Sequence, residues 1–175
     1  MKLISALAGG LAGAVAMTIV HETIKRFDKD APRLDLLGME ALEKELGHVN
    51  EAPPSANKLF MGAMTGDIAG NSLYYSLAGL GKGGTDVKGV ALGLAAGIGA
   101  IYLPEKLGLN KNHSARTDKT KALTTLYYAI GGFVASEVMK LVDRQFTKKS
   151  ASRAISANAP GYLSDRPAYD TGSEL

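Results

Sequence analysis

Apolar and polar residues fall into long alternating blocks along this chain. Leu3 to Val20 carries no charge, Leu59 to Leu80 is mostly apolar, Gly89 to Leu103 is wholly so, and a last block runs uncharged from Ala122 to Ser136. At about 1.5 Å per residue, the 59–80 block reaches about 33 Å as a helix, enough to cross a hydrocarbon core of about 30 Å. The pattern predicts membrane helices near 3–22, 59–80, 87–103 and 122–142. The short third block is extended by Val87 and by Lys88, whose stem can lie in lipid while its ammonium reaches water. Pro104 is expected to stop that helix.

The first two spans are separated by a polar insertion over 24–56. Asp30-Ala31-Pro32 breaks any continuation of the first helix. Asp35 then caps a short helix ending near His48, expected to lie on the protein's own surface. Residues 1–149 form the expected membrane domain. Residues 150–175 lack periodicity and read as a polar tail, extended or disordered. The fold class expected is all-α: a small polytopic membrane helical bundle of about four spans with Gly/Ala-rich interfaces.

Glycine sharpens this picture. It supplies 21 of 175 residues, against about 7% in average usage. Much of it is spaced four apart inside the apolar blocks: Gly9 and Gly13; Gly62, Gly66 and Gly70; Gly89, Gly93 and Gly97. Glycine costs about 1 kcal/mol against Ala in a water-exposed helix, but in lipid it lets backbones approach. All eight are expected at helix-packing surfaces.

A duplication is a further expectation. Gly10–Glu22 (GLAGAVAMTIVHE) matches Gly93–Glu105 (GLAAGIGAIYLPE) in pattern, and Leu-Tyr-Tyr recurs at 73–75 and 126–128. This suggests two helical hairpins related by an axis along the membrane normal. The tyrosines weigh against it, since one pair lies deep in its span and the other near the start.

Composition excludes several functions. There is no Cys, hence no disulfide framework, thiolate metal site or thiol nucleophile. A net charge of +3 is mild, and no basic helix with interleaved aromatics points to nucleic acid. HExxH, G-x-S-x-G and the P-loop pattern are absent, so no catalytic set or cofactor is expected.

The candidates for chemistry are polar residues inside apolar blocks. Asp67, with Asn71 one turn on, is the sharpest: a carboxylate at membrane depth is costly and must face the bundle interior. Glu137 is a third intramembrane candidate, with Lys140 one turn on. His21, Glu22 and Glu105 are weak candidates for a divalent cation, because imidazole and carboxylates suit Zn, Fe or Mn. His21 and Glu22 are sequence neighbours, however, and point to different sides of a helix.

These features predict a non-enzymatic integral membrane protein, a scaffold or accessory subunit packing with itself or a membrane-protein partner. One alternative is an ion or small-solute permeation unit using Asp67 and Asn71. Another is a soluble or periplasmic helical protein left after signal removal, since Lys2, the apolar run and Ala14-Val15-Ala16 resemble a secretory signal. The chain is similar in general look to small bacterial membrane proteins, which places it in the cytoplasmic membrane. Lys and Arg divide almost evenly between the two expected sides and do not fix orientation.

Overall fold

The computed structural model describes residues 3–49, 54–81 and 84–157, the last five by backbone alone. Six α-helices follow in order: α1 Leu3–Ile24, α2 Leu34–His48, α3 Ala56–Ser76, α4 Thr85–Lys106, α5 Asn112–Ala115 and α6 Asp118–Ala157. A single 3₁₀ turn, Leu77–Gly79, extends α3, and the described residues contain no strand. The chain divides into two compact units, Met1–Asp143 and Arg144–Leu175. Residues 150–157, expected in the tail, are instead the last turns of α6, where the Ser150 hydroxyl donates to the Phe146 carbonyl at 2.9 Å. The rest of the expected tail, 158–175, lies outside the described residues.

Within the first unit α6 packs antiparallel to both α1 and α4, and the contacts reach the backbone. A Cβ at Gly97 would sit 2.7 Å from the Thr125 Cα, and one at Gly9 would sit 2.5 Å from the Ala135 carbonyl. α3 lies antiparallel along α1, with Gly10 against Ser72 and Ser76. α2 rests on α3 and α5 and buries no residue fully.

Two serines tie these helices. The Ser76 hydroxyl donates to Ala6 O across the α1–α3 seam and to its own Ser72 O, at 3.1 and 2.7 Å. The Ser136 hydroxyl does the same to Thr85 O and Gly132 O, both at 3.0 Å. In each seam a glycine, Gly10 or Gly89, lies one turn beyond the accepting carbonyl and against that serine. The two seams thus resemble each other with Gly10 matching Gly89, a different register from the Gly10–Gly93 alignment of the sequence.

Pro104 does not end α4, which runs to Lys106; the break comes at Gly108, whose φ of +68° suits glycine. The proline ring removes the N–H that would serve the carbonyl of residue 100. Ser114 of α5 replaces it, donating its hydroxyl to Ala100 O at 2.5 Å. A lost helix bond thereby becomes a tie between α4 and the loop beyond it.

Burial inverts the usual order of a water-soluble fold. Leu59 is the one buried residue among all the described Leu, Ile and Val. The interior is instead Gly, Ala, Ser, Thr, Tyr and Met, including Ser5, Ser76, Ser114, Thr124 and Ser136. Leu3, Leu7, Leu11, Val15 and Ile19, four apart on α1, all face outward, as do Leu94, Ile98 and Tyr102 on α4. α1 and α4 are long and apolar enough to cross a membrane. α3 and α6 are not among such helices: Asp67 and Asn71 dilute α3, and Glu137 with the paired threonines and tyrosines dilutes α6.

Both ends of this apolar zone are polar. At one end the acidic insertion meets the basic loop that follows α4. Asp28 pairs with Lys119 at 2.7 Å, Asp30 with Arg116 at 3.4 Å and Glu40 with His113 at 3.5 Å. At the other end Lys140 of α6 reaches Asp86, at the start of α4, at 2.8 Å.

Candidate functional site

The richest polar arrangement is a corner where α1, α2 and α3 converge. α1 brings His21, on the same face as Gly10, Ala14 and Met17, so the helix that packs tightly along α3 also carries the imidazole inward. His21 is 4% exposed. α2 brings Asp35 in its first turn. It makes no cap hydrogen bond, contrary to the role expected of it. Asp35 accepts instead from Lys25 Nζ at 3.0 Å and from Arg33 Nη2 at 2.9 Å, with its side chain 5% exposed. α3 brings Asp67, whose Oδ1 accepts from Asn71 Nδ2 at 2.9 Å.

Charge balance follows from these contacts. Lys25 bridges Glu22, at 2.5 Å, and Asp35, and its ammonium also lies 5.6 Å from the Phe60 ring centroid. Burial works against ionisation of Asp35, but the hydrogen bonds from Arg33 and Lys25 outweigh it and hold the carboxyl below the ordinary carboxylate range. Asp67 has no such cation: among the described residues its one polar partner is the neutral Asn71 amide.

His21 stands between these groups. Its Nδ1 is 3.5 Å from Glu22 Oε1, and its Nε2 is 3.7 Å from Asp35 Oδ1. The latter distance is too long for a hydrogen bond, and Nε2 is buried without a partner. His21, Asp35 and Asp67 also line a small pocket of about 20 Å³ whose walls are mostly apolar, chiefly Met17, Leu34, Phe60 and Met64. Tyr127 of α6 stands beside His21, ring centroids 6.3 Å apart, and its buried hydroxyl also lacks a partner.

Asn71, on the far side of Asp67, borders a different space. This is an open cleft of about 470 Å³ between α3 and α4, with Tyr74, Gly99, Ala100 and Tyr128 in its walls. The Tyr74 hydroxyl donates to Leu92 O at 3.1 Å and that of Tyr75 to Tyr128 O at 2.9 Å, so both tyrosines brace α3 against α4 and α6. Asp67 thus lines the small pocket and its partner Asn71 the open cleft.

The other sequence candidates are dispersed. Glu137 pairs with Lys140 at 2.6 Å, near the polar end by Asp86. Glu105 is 65% exposed and pairs with Lys111 at 2.8 Å, away from His21 and Glu22. The described residues contain no group of three His, Asp or Glu able to hold a metal ion. Gly9 and Gly13 lie against α6, as do Gly89, Gly93 and Gly97, while Gly62 faces Leu42 of α2. Around Gly66 and Gly70 there is open space.

Nothing in the order of residues joins Asp35 to Asp67. The available signal was the turn spacing of His21, Glu22 and Lys25, which puts an imidazole, an acid and a base at one helix end. No protein family, curated protein or solved structure matches the chain.

Proposed function

We infer that the chain is an integral membrane protein of four spans, α1, α3, α4 and α6, that serves as a non-enzymatic assembly subunit. The observation that carries the membrane reading is the inverted burial. Water would drive Leu, Ile and Val inside, at roughly 1.5–3 kcal/mol for each side chain, whereas lipid does not distinguish them from its own chains. An exterior of Leu and Ile around an interior of Gly, Ala, Ser and Thr suits lipid. α1 and α4 can cross on composition, and α3 and α6 lie along them, so all four share one depth. A bacterial cytoplasmic membrane is the setting proposed.

Resistance to carbonate extraction, with release only by detergent, is the expected result. A chain that stays monodisperse in water after its N-terminal helix is cleaved would overturn the reading in favour of a processed soluble protein.

The open glycines of α3 support assembly with a second copy. Gly66 and Gly70 have the spacing of a membrane dimer face, and a patch of this kind can meet its own copy about a two-fold axis. Cross-linking in mild detergent should give a dimer that Gly66→Leu with Gly70→Leu abolishes while the monomer stays folded. A dimer that survives both substitutions would refute this interface. The permeation alternative draws its support from Asp67 and Asn71, which line the small pocket and the cleft. It predicts that Asp67→Asn removes an ion flux in proteoliposomes.

A further inference from the structure

We propose that the cleft between α3 and α4 seats one acyl chain of an anionic phospholipid, whose headgroup phosphate rests against Lys44 and Lys106. The proposal builds on the membrane reading and goes beyond it.

The cleft has the depth of one leaflet. Its α4 wall runs from Ala95 to Leu107, about 18 Å at 1.5 Å per residue. Half of a hydrocarbon core of about 30 Å is about 15 Å. Ala95 lies at the middle of α4, and Leu107 lies just past its end. The inner end is bridged: the Tyr74 hydroxyl, donating to Leu92 O at 3.1 Å, joins α3 to α4 one turn before Ala95. The outer end opens between Leu37 of α2 and Leu107 and Leu109 beyond α4. Ala95, Ala96, Gly99 and Ala100 keep the wall shallow, and the volume of about 470 Å³ is many times that of one water. The polar side chains Asn71 and Tyr74 already donate to Asp67 and Leu92 O. A slot open at the interface, bridged at mid-depth and lined by small apolar residues suits a hydrocarbon chain.

Charge selects the headgroup. Lys44 falls seven residues after Leu37, and Lys106 seven after Gly99, so each stands nearly in line with a cleft residue. The Lys44 ammonium donates to Leu107 O, on the rim itself. Among the described residues neither lysine has an acidic partner. The acids beside the mouth are engaged. Glu40 accepts from the Asn110 N–H at 3.0 Å and pairs with His113, and Glu105 pairs with Lys111. Glu43 and Glu45 stand about 100° to either side of Lys44 around α2. Two such cations at the mouth of an apolar slot match a lipid of net negative charge, since a zwitterionic lipid brings its own cation to the phosphate.

The full chain is purified in mild detergent, freed of lipid and given phosphatidylglycerol or phosphatidylcholine with the same acyl chains. Native mass spectrometry counts the lipids retained. One phosphatidylglycerol should bind at a concentration about tenfold below that needed for phosphatidylcholine. Lys44→Gln with Lys106→Gln should abolish this preference, and Lys44→Arg with Lys106→Arg should keep it. Gly99→Leu should expel either lipid. A Cβ there meets only the Leu103 Cδ1, at 3.4 Å, so the larger side chain enters the cleft. A native melting temperature in detergent marks each variant as folded.

Equal affinity for the two lipids overturns the proposal. So does a preference that survives both glutamines, or a folded Gly99→Leu protein that holds lipid as before. Should the leucine variant not fold, the lysine variants decide alone. A chain that needs no detergent overturns the membrane reading and this proposal together, whereas a detergent-dependent chain without the preference overturns this proposal only.

Discussion

The α4–α6 seam and the corner where α3 meets α1 and α2 begin from the same motif, three glycines four residues apart, and end oppositely. On α4 the motif is consumed. Gly89, Gly93 and Gly97 lie against α6 so closely that a Cβ at Gly93 would come within 2.8 Å of the Ala129 Cα. On α3 Gly62 touches one leucine and the next two glycines face open space. The cause lies in the other faces of the two helices. Around its glycines α4 carries mainly Leu, Ile, Val and Ala, which lipid accepts, so close packing can decide its orientation. α3 also carries Asp67, Asn71, Tyr75 and Ser76, which must be covered or bonded. Covering those polar groups rotates the small stripe outward. Satisfying a polar group outweighs the gain from close packing, because an unbonded one in an apolar medium costs several kcal/mol.

The most severe break in this comparison is the same substitution made in both ladders. Gly93→Leu drives a side chain into the α6 backbone and should abolish the monodisperse folded species on size exclusion in detergent. Gly93→Ala should already cost about 1–3 kcal/mol. Gly70→Leu should leave the monomer folded, since its side chain enters open space. Equal behaviour of the two leucine variants would mean the ladders are not packed differently.

Asp35→Asn tests the polar corner. Losing charge-assisted bonds from Lys25 and Arg33 should cost about 1.5–3 kcal/mol at neutral pH. The pH dependence has a definite sign. The Asp35 carboxyl is held below its ordinary value in the folded protein, so the unfolded chain binds a proton first as pH falls. Its stabilisation is full above the ordinary carboxylate value of about 4 and is lost as pH falls below that, toward the folded-state value. Melting temperature measured against pH should therefore fall in acid, and less steeply in Asp35→Asn. A variant with the native acid slope would remove Asp35 as a source of that loss.

The two serine clasps are a finer test. Ser76→Ala and Ser136→Ala each remove one bond across a seam and one within a helix, and each should cost about 0.6–1.7 kcal/mol by denaturation in detergent. The costs should be similar, since the two hydroxyls are bonded alike. A loss confined to Ser136 would show that the α1–α3 seam depends on the polar corner rather than on its clasp.

Much of the architecture could be read from the residues. The all-helical class and the surface helix 34–48 follow from block length and periodicity, which are local properties; of the four spans expected, α1 and α4 are apolar enough to cross a membrane. The limits of α4 were not so legible. Pro104 looked like a terminator because its missing N–H is visible in sequence, whereas Ser114, which supplies the replacement bond, is ten residues away and reaches it only through the fold. Asp67 and Asn71 were legible as a pair because they share a helix face. The small pocket was not, because His21, Asp35 and Asp67 lie on three helices.

Taken alone, the amino-acid order determined which stretches are helical, which residues are small enough to admit a neighbour and which polar groups must find cover. Each of these is set by a side chain and its near neighbours along the chain. Tertiary structure decided which face of each helix turns inward, since that depends on a contest among all faces at once. It sent the α4 glycines to α6, left Gly66 and Gly70 outside, and buried an imidazole nitrogen 3.7 Å from the Asp35 carboxylate.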